Sequence, residues 1–600
     1  MEFEQKAEEK KMSMSKNIAR LAVTAGLTAA LSFGGVMAPV SMAFAAEGAT
    51  ATTNSITIKK NNDNGSVKYK AYQIFEADVV DESGKTGKTD KVVSNVKWAT
   101  GVNDTTRKTI IKAINDYNEN KADDLKTDAN PQDVANWLTA NIAGTTNTTV
   151  LKDTDLLNTL AGLVAKNVTP TNPTNPTGTT DGSFAADTKV SFDKSGYYLF
   201  LTDAGTLASG ESTTGSKNTA TSPIYAVVGA GDVEVTEKTS IPTVNKQVLD
   251  DTAGKDSWKN VGDAWIGQVI DYKLTGTVAS NIASYDEYKY KFQDHLSVGL
   301  DADLSTVEVT IGDITIPRAV DSQLANGYTA SLTETQDDSG KPTGQDLTIS
   351  FVNLKAAAKA AGATLNENSE VVVKYKAKLT DKAEYTVTGN TNEVKLVYSN
   401  NPMTDYEGTS ESDEVTDYVF GLDVTKTASD DPQKKLVAGF KVKMIEEGTT
   451  PVTGDEWLTL TGGLTSDASK AGVFTTREND SKVRIPGLVA GKYEITECTT
   501  PKGYNSISFT ITVKPTYDEA TGKLTNLNVE DSSDMVTSEL NKNVDSTMIP
   551  VTIVNKKGSG LPLTGINGVT FTWIAGGAVL CIGVAHLIRS RKQAEESEQE

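Results

Sequence analysis

Short segments in which apolar and polar residues alternate recur along the chain, and this pattern constrains the fold more than any other feature. Ile270, Tyr272 and Leu274 alternate with polar residues, and the same pattern recurs at 373–379 and 394–398. Residues two apart point to the same face of a strand, so each segment predicts a half-buried β-strand. Short strands separated by turn residues predict antiparallel β-sandwiches.

The stretch from about 55 to 235 combines strands with helices. Alternation and β-branched residues predict strands at 55–59 and 67–75. Apolar residues at helical spacing lie at 110–117, 134–138 and 156–164. The fold is therefore expected to be mainly β, with helices inserted in the first domain.

Composition excludes several classes of function. The net charge is −21, and an acidic chain repels phosphate backbones, so we expect no nucleic-acid partner. The His and Cys residues are His295, His586, Cys498 and Cys581. These few residues argue against zinc sites, disulfide frameworks and a His-dependent triad. We expect no metal, no cofactor and no enzyme activity.

The N-terminus has the order of a secretory signal peptide. Basic residues reach Arg20, an apolar stretch runs from Leu21 to about Val40, and small residues follow. This order predicts a signal peptide over 1–46, cut after Ala45 or Ala46. The alternative is a buried N-terminal helix.

The C-terminus carries a short motif, an apolar span and a basic tail. The motif occupies 561–565, as Leu561, Pro562, Leu563, Thr564 and Gly565. The apolar stretch 569–588 is long enough for a transmembrane helix, and the basic residues Arg589, Arg591 and Lys592 hold the tail 589–600 on the cytoplasmic side. This order resembles the cell-wall sorting signal of Gram-positive surface proteins, which implies that a sortase cuts after Thr564. The alternative is a permanent single-span membrane protein.

The exported body divides into expected domains at 47–237, 238–419 and 420–558. It contains one cysteine, Cys498, so no intramolecular disulfide can form. A long extracellular protein without disulfides needs another source of resilience.

The third domain contains the segment YEITECTTPKGY at 493–504. This segment resembles the collagen-adhesin B-type domain of Gram-positive surface proteins. In that family, a Lys on the first strand bonds covalently to an Asn on the last strand beside a Glu. By motif position, these residues are Lys426, Asn555 and Glu497.

Such a bond requires a neutral lysine amine. Burial disfavours the ammonium and lowers the lysine pKa, and the same burial raises the pKa of a carboxyl group. A protonated Glu497 could then polarise the Asn555 amide while Lys426 attacks it and ammonia leaves. The bond forms once, within one molecule, so this chemistry is not turnover.

The second domain has a parallel set. Lys246 lies at its start, Asp294 shares a strand face with Tyr290 and Phe292, and Asn392 lies in the closing strand. This region resembles the middle, isopeptide-forming domain of fimbrial subunits, which implies a Lys246–Asn392 bond assisted by Asp294. Asn390 lies on the same strand face and is the alternative partner.

Lys238 lies between the first and second domains, in VEVTEK at 233–238. Major pilins carry the lysine that accepts the sortase-bound subunit near this junction, so the resemblance assigns this role to Lys238. The alternative is a solvated linker lysine. In the first domain, the candidate residues for an isopeptide bond are Lys59 or Lys60 with Asn218.

The signal, the two C-terminal domains, the junction and the sorting signal together resemble a sortase-assembled major pilin, the shaft subunit of a Gram-positive fimbria. The first domain matches only in position and in its general strand-helix-strand character. The resemblance implies tandem immunoglobulin-like β-sandwich domains and a surface fimbria anchored to the cell wall, with its precursor held in the membrane. The implied partners are pilin-specific and housekeeping sortases, further copies joined head to tail, minor pilins, peptidoglycan and a host receptor. The alternative is a wall-anchored adhesin or accessory pilin that binds a host ligand without forming the shaft.

Overall fold

The computed structural model describes much of the region between the two predicted targeting signals. The described residues are 54–60, 64–65, 67–81, 91–118, 124–142, 149–175, 182–207, 218–250, 257–538 and 546–558. The expected signal peptide, sorting motif, transmembrane helix and cytoplasmic tail lie outside them. Within these ranges, no helix is both long and apolar enough to cross a membrane.

The first region, 54–236, has helices on one side of its sheets. Its elements are β1 Asn54–Lys59, β2 Lys68–Asp81, β3 Lys91–Trp98, α1 Asp104–Tyr117, α2 Pro131–Asn141, α3 Leu156–Asn167, β4 Ser183–Ala185, β5 Lys189–Ser191, β6 Gly196–Thr202, β7 Ile224–Val228 and β8 Gly231–Thr236.

Two sheets form this region, in the strand orders β5-β1-β8 and β3-β2-β6-β7, with β4 beside β2. One hydrophobic cluster fills the space between the sheets, and a second joins β2 and β6 to the three helices. The Asn130 side chain caps α2 by accepting from the Asp133 amide. Pro131 lies in the first turn, where a backbone N–H has no acceptor within the helix, so the missing N–H of proline costs no hydrogen bond. The helix predicted from the apolar spacing at 134–138 is therefore present.

The middle region, 244–418, is a β-sandwich with one short helix. Its elements are β9 Val244–Asp250, β10 Ser257–Lys259, β11 Val261–Asp263, β12 Val269–Thr277, β13 Tyr290–Ser297, β14 Leu300–Ile311, β15 Ile314–Ile316, β16 Thr329–Gln336, β17 Pro342–Phe351, α4 Leu354–Ala361, β18 Glu370–Leu379, β19 Asn390–Ser399, β20 Glu407–Thr409 and β21 Asp413–Tyr418.

Its two sheets have the strand orders β10-β9-β12-β18-β14-β15 and β11-β21-β19-β13-β17-β16, with β20 beside β19. The inward residues of both sheets, such as Tyr272, Leu274, Phe292 and Leu396, form one hydrophobic core. The alternation seen in the sequence thus marks the faces that meet inside this sandwich.

The third region, 420–555, is a second sandwich. Its strands are β22 Phe420–Ala428, β23 Gly439–Glu447, β24 Thr450–Leu458, β25 Leu464–Thr465, β26 Phe474–Thr475, β27 Lys482–Leu488, β28 Gly491–Thr499, β29 Ser508–Tyr517, β30 Leu524–Asp531, β31 Val536–Ser538 and β32 Met548–Asn555. Single turns of 3-10 helix in the chain lie at Ala204–Thr206, Ile282–Ser284 and Leu324–Asn326.

The sheets of the third region have the orders β27-β22-β32-β31 and β25-β24-β23-β28-β29-β30, with β26 beside β23. The first strand, β22, runs parallel to the last strand, β32. The expectation of a mainly β fold with tandem sandwiches and helices in the first region is confirmed.

Buried hydrogen bonds join the first and middle regions. The Asp153 amide donates to the Ala283 carbonyl at 2.7 Å, and the Asn281 side chain donates to the Ala220 carbonyl at 2.9 Å. The Lys355 ammonium lies 2.6 Å from the Asp153 carboxylate in the same interface. These contacts surround the segment that contains Lys238.

The middle and third regions are joined in a similar way. The Ala490 amide donates to the Asp263 carboxylate at 2.6 Å, and the Gly487 amide donates to the Tyr385 hydroxyl at 3.1 Å. Val261 of β11 also contributes to the hydrophobic core of the third region. The two sandwiches therefore share packing as well as hydrogen bonds.

Candidate functional site

The third-region site is formed by three strands from both sheets. Lys426 lies on β22 and Asn555 lies on β32, and both belong to the inward-facing set of their strands. Ala428 is the direct neighbour of Asn555 in this parallel pair, so Lys426 is one same-face position from it along β22. Glu497 reaches the site from β28 in the opposite sheet.

The acid of this site contacts the amide. The Asn555 amide nitrogen donates to both Glu497 oxygens, at 2.9 and 3.1 Å, and Glu497 Oε2 also accepts from the Ile507 amide at 3.1 Å. The Lys426 ammonium donates to the Ile553 carbonyl at 3.1 Å. The Asn555 side-chain oxygen is buried without a hydrogen-bond partner.

Burial sets the charge state of this site. Lys426 and Asn555 are each 1% exposed, and Glu497 is 5% exposed. Burial lowers the pKa of the Lys426 amine to about 8, although the nearby Glu497 opposes this shift. Burial also raises the pKa of Glu497. Both shifts favour a neutral amine beside a protonated carboxyl, the state in which the amine is nucleophilic.

The middle-region site joins its two sheets. Lys246 lies on β9 of one sheet, whereas Asp294 on β13 and Asn392 on β19 belong to the other. Leu296 pairs with Asn392 across these two strands, which places Asp294 one same-face position away. Lys246 and Asn392 are fully buried, and Asp294 is 1% exposed.

The acid of the middle site contacts the lysine, and Tyr375 on β18 completes the cluster. Lys246 donates to Asp294 Oδ1. The Tyr375 hydroxyl donates to Asp294 Oδ2 at 2.6 Å, accepts from the Asn392 amide at 2.7 Å, and lies 3.2 Å from the Lys246 nitrogen. The Asn392 side-chain oxygen is buried without a hydrogen-bond partner.

Aromatic rings enclose the middle-site lysine. The Lys246 nitrogen lies 5.5 Å from the ring centres of both Tyr272 and Tyr375, which stack at 5.3 Å. Burial lowers the pKa of Lys246 against the opposing charge of Asp294, and burial raises the pKa of Asp294. Lys246 and Asp294 are therefore placed to exchange a proton across their hydrogen bond.

The alternative partner, Asn390, has other contacts. Its oxygen accepts from the Glu384 amide at 2.9 Å, and its nitrogen donates to the Asp417 carbonyl at 3.1 Å. Asn390, the first residue of β19, therefore links two backbone segments. Of the two asparagines, the geometry brings Asn392 to the cluster of Lys246 and Asp294.

Lys238 is partly buried at the joint between the first and middle regions. Its ammonium donates to the Thr149 carbonyl at 2.7 Å, and its backbone amide donates to the Thr221 hydroxyl at 2.7 Å. Burial lowers the pKa of the Lys238 amine to about 8. The lysine is thus less accessible than a linker lysine, and its amine is more readily deprotonated.

The contacts do not support the pairing of Lys59 or Lys60 with Asn218 that was considered for the first region. Lys59 lies 3.9 Å from Asp187 and from Glu234, whereas Asn218 accepts from the Gly65 amide at 2.9 Å. A different polar cluster is buried here. The side chain of Asn64 donates to Glu237 at 3.1 Å, and the Tyr69 hydroxyl donates to the same carboxylate.

Sequence reasoning did not assign a role to Tyr375 or to the Asn64 cluster. The alternation of apolar and polar residues at 373–379 predicts that Tyr375 lies on a buried strand face. The same pattern marks the other inward-facing strand residues, so it does not single out Tyr375. Its position opposite Asp294 depends on the stacking of two sheets, which no local pattern encodes.

The third region, from its first strand through the segment 493–504, is similar to a known protein family. Residues 422–528 match the family described as SpaA: Prealbumin-like fold domain. This stretch of the chain resembles such a SpaA-type domain. It includes Lys426 and Glu497, and Asn555 lies beyond the matched residues. No curated protein sequence matches the chain.

Solved structures with a similar arrangement include three pilins. The T6 backbone pilin of Streptococcus pyogenes is 15% identical, with 85% of this chain and 100% of that chain covered and a TM-score of 0.46. The Corynebacterium diphtheriae major pilins SpaA and SpaD are each 14% identical, with TM-scores of 0.38 and 0.40. The SpaA comparison covers 84% of this chain and 100% of that chain, and the SpaD comparison covers 85% and 98%.

Proposed function

We propose that the chain is the structural shaft subunit of a covalently polymerised cell-surface fimbria, stabilised by two intramolecular Lys–Asn isopeptide bonds. The observation that carries this proposal is the recurrence of one chemical set in two separate sandwiches. Each set has a buried lysine, a buried acid, and an asparagine whose carbonyl oxygen lacks a partner. The SpaA-type domain supports the assignment of the third-region set.

Each bond forms by aminolysis of an amide. The neutral lysine nitrogen attacks the side-chain carbon of asparagine, the new C–N bond forms, and the bond to the amide nitrogen breaks. One proton passes from the lysine nitrogen to the leaving nitrogen, so ammonia is released and the acid is unchanged. The fold supplies proximity, which is worth effective molarities of roughly 10⁵ M or more.

The buried clusters also explain why an unbonded state would be unfavourable. A buried ionic pair costs several kcal/mol of desolvation per ion, which attraction between the charges recovers only in part. Formation of an amide removes both the lysine charge and the requirement for a counter-charge. The bond therefore converts a costly buried group into a neutral cross-link between strands.

In this proposal, a sortase joins Thr564 of one subunit to Lys238 of the next, and the last subunit passes to peptidoglycan. The subunits then run head to tail along a surface fimbria, and minor pilins attach to it. Before polymerisation, the C-terminal span holds the precursor in the membrane. The body of each subunit contributes strength and has no turnover chemistry.

Peptide masses test the bonds. We expect denatured, digested chain to yield two branched peptides, one containing Lys246 and Asn392 and one containing Lys426 and Asn555, each lighter by about 17 Da than its parts. Linear peptides of full mass at both positions would contradict the isopeptide part of the proposal. The full chain made in a host without sortases is suitable, because the bonds need no enzyme.

A lysine substitution tests polymerisation separately. In the native host, Lys238→Arg is expected to abolish the ladder of high-mass species on denaturing gels. Lys152→Arg is the matched control, since Lys152 is an exposed lysine close to the same joint. An unchanged ladder in Lys238→Arg would exclude Lys238 as the acceptor.

The contacts of Lys238 favour one second candidate, an accessory pilin or wall-anchored adhesin that does not form the shaft. Its amine donates to the Thr149 carbonyl, and a sortase would have to displace that contact. On this alternative, the cell-wall fraction contains the chain as a single anchored species, and Lys238→Arg changes nothing.

A further inference from the structure

The two clusters differ in how the acid reaches the asparagine. In the third region, Glu497 accepts directly from the Asn555 amide, at 2.9 Å. In the middle region, Asp294 accepts from Lys246, and the contact between the acid and Asn392 runs through the Tyr375 hydroxyl. The same overall reaction therefore has different proton routes in the two sandwiches.

We propose that the Tyr375 hydroxyl acts as a proton relay between Asp294 and the leaving amide nitrogen of Asn392 while the Lys246–Asn392 bond forms. This inference rests on the proposed function and adds a catalytic residue to it. Tyr375 touches both reacting nitrogens, at 2.7 Å from Asn392 and 3.2 Å from Lys246.

The step balances without an added reactant. As neutral Lys246 attacks the Asn392 carbon, its nitrogen releases one proton to Asp294 Oδ1. Protonated Asp294 gives the proton on Oδ2 to the Tyr375 oxygen, and Tyr375 gives its own proton to the leaving nitrogen. The C–N bond to that nitrogen breaks and ammonia departs, while the carboxyl and hydroxyl groups return to their starting composition.

The surroundings favour a relay through this hydroxyl. Tyr375 is 1% exposed, so bulk water does not compete for its contacts. Burial raises the pKa of Tyr375 well above the ordinary value, which keeps the hydroxyl protonated and able to donate. The neighbouring Tyr272 hydroxyl also contacts the Asn392 side chain, but it donates to a different carboxylate, that of Asp417.

Pulse-labelled full chain tests the relay, with both bonds followed by peptide mass after denaturation. Tyr375→Phe keeps the ring and removes the hydroxyl. We expect the middle bond to form roughly 10²-fold more slowly or worse, in the range of lost general acid–base catalysis, while the third-region bond forms at the wild-type rate. The third-region bond is an internal check that the chain has folded.

One matched variant separates the relay from a general loss of buried tyrosine contacts. Tyr290→Phe removes a buried hydroxyl that donates to the Thr277 carbonyl, away from the cluster. This variant is expected to retain rapid formation of the middle bond.

The outcomes separate the relay from the proposed function. A wild-type rate in Tyr375→Phe would overturn the relay, and so would an equal slowing in Tyr290→Phe. If wild-type chain lacks the middle bond altogether, the proposed function is wrong at this site. The relay, which acts only while that bond forms, is then overturned as well.

Discussion

The Asn555 amide donates to both carboxyl oxygens of Glu497, whereas the Lys426 amine donates to a backbone carbonyl of the last strand. Glu497 is therefore placed to act on the amide rather than to neutralise the lysine. To polarise the amide, Glu497 must carry a proton. Burial raises its pKa, whereas the hydrogen bonds from Asn555 and Ile507 and the charge of Lys426 lower it.

The first prediction concerns that carboxyl. Glu497→Gln keeps the size and polarity of the side chain but cannot cycle a proton, so we expect the third-region bond to form at least about 10²-fold more slowly. The middle bond should be unaffected. Time-resolved peptide mass is the measurement, and Glu494→Gln, an exposed change on the same strand, is the control. Normal formation of the third-region bond in Glu497→Gln would show that the acid is dispensable.

The second prediction distinguishes Asn392 from Asn390. Asn392→Ala should restore full mass to the Lys246 peptide, whereas Asn390→Ala should retain the branched peptide. A cross-link that closes a loop of more than 100 residues restricts the unfolded chain by about 5 kcal/mol, so Asn392→Ala should lower the free energy of unfolding by a similar amount. Denaturant unfolding measures this difference. A branched peptide surviving in Asn392→Ala would assign the bond to a different asparagine.

The third prediction concerns pH and uses Asn555→Ala, in which the Lys426 amine stays free. Its pKa is about 8 when folded and near 10.4 when unfolded, so between these values the unfolded state binds more protons. Stability of this variant should therefore rise with pH from about 8 to 10, by about 2–3 kcal/mol relative to wild type. In wild type, the proposed bond would consume the amine, so we expect this contribution to be absent.

Denaturant unfolding at several pH values measures the effect. Adding Lys426→Met to Asn555→Ala removes the titrating amine and should remove the difference. If the double variant keeps the same pH dependence as Asn555→Ala, another group is responsible.

The fourth prediction concerns the joint between the middle and third regions. Gly487 has a φ of +84°, and a Cβ there would lie 1.9 Å from the Gly462 carbonyl oxygen, which accepts from the Ile266 amide. Gly487→Ala should therefore separate the two regions and increase protease cleavage near residue 419 several-fold. Gly454→Ala is the control, because Gly454 also has positive φ but its Cβ would meet nothing within 4 Å. Equal cleavage in both variants would attribute the effect to backbone strain alone.

Much of the fold was predictable because its signals are local. The helix at Leu354–Ala361 is rich in alanine, the strongest helix former, and its Asn353 cap accepts from two amides of the first turn. Alternation also identified the inward faces of β12, β18 and β19. These features depend on strand and helix periodicity, which neighbouring residues determine.

The contacts within the clusters were less predictable because they depend on how sheets stack. Family resemblance placed Lys426 and Glu497 in one site, but spacing alone could not show that Lys426 donates to the Ile553 carbonyl. The role of Tyr375 and the burial of Lys238 both arise from long-range packing. Asn390 and Asn392 have the same strand parity, and their different partners appear only when β21 and β18 are in place.

The parallel pairing of β22 with β32 has a mechanical consequence. Tension along the chain enters the third region at the start of β22 and leaves at the end of β32. Because these strands point the same way, the two loads act at opposite ends of one ladder. Without a cross-link, the ladder would be sheared and its hydrogen bonds would have to break together. The proposed Lys426–Asn555 bond would instead pass the load from β22 directly to the end of β32.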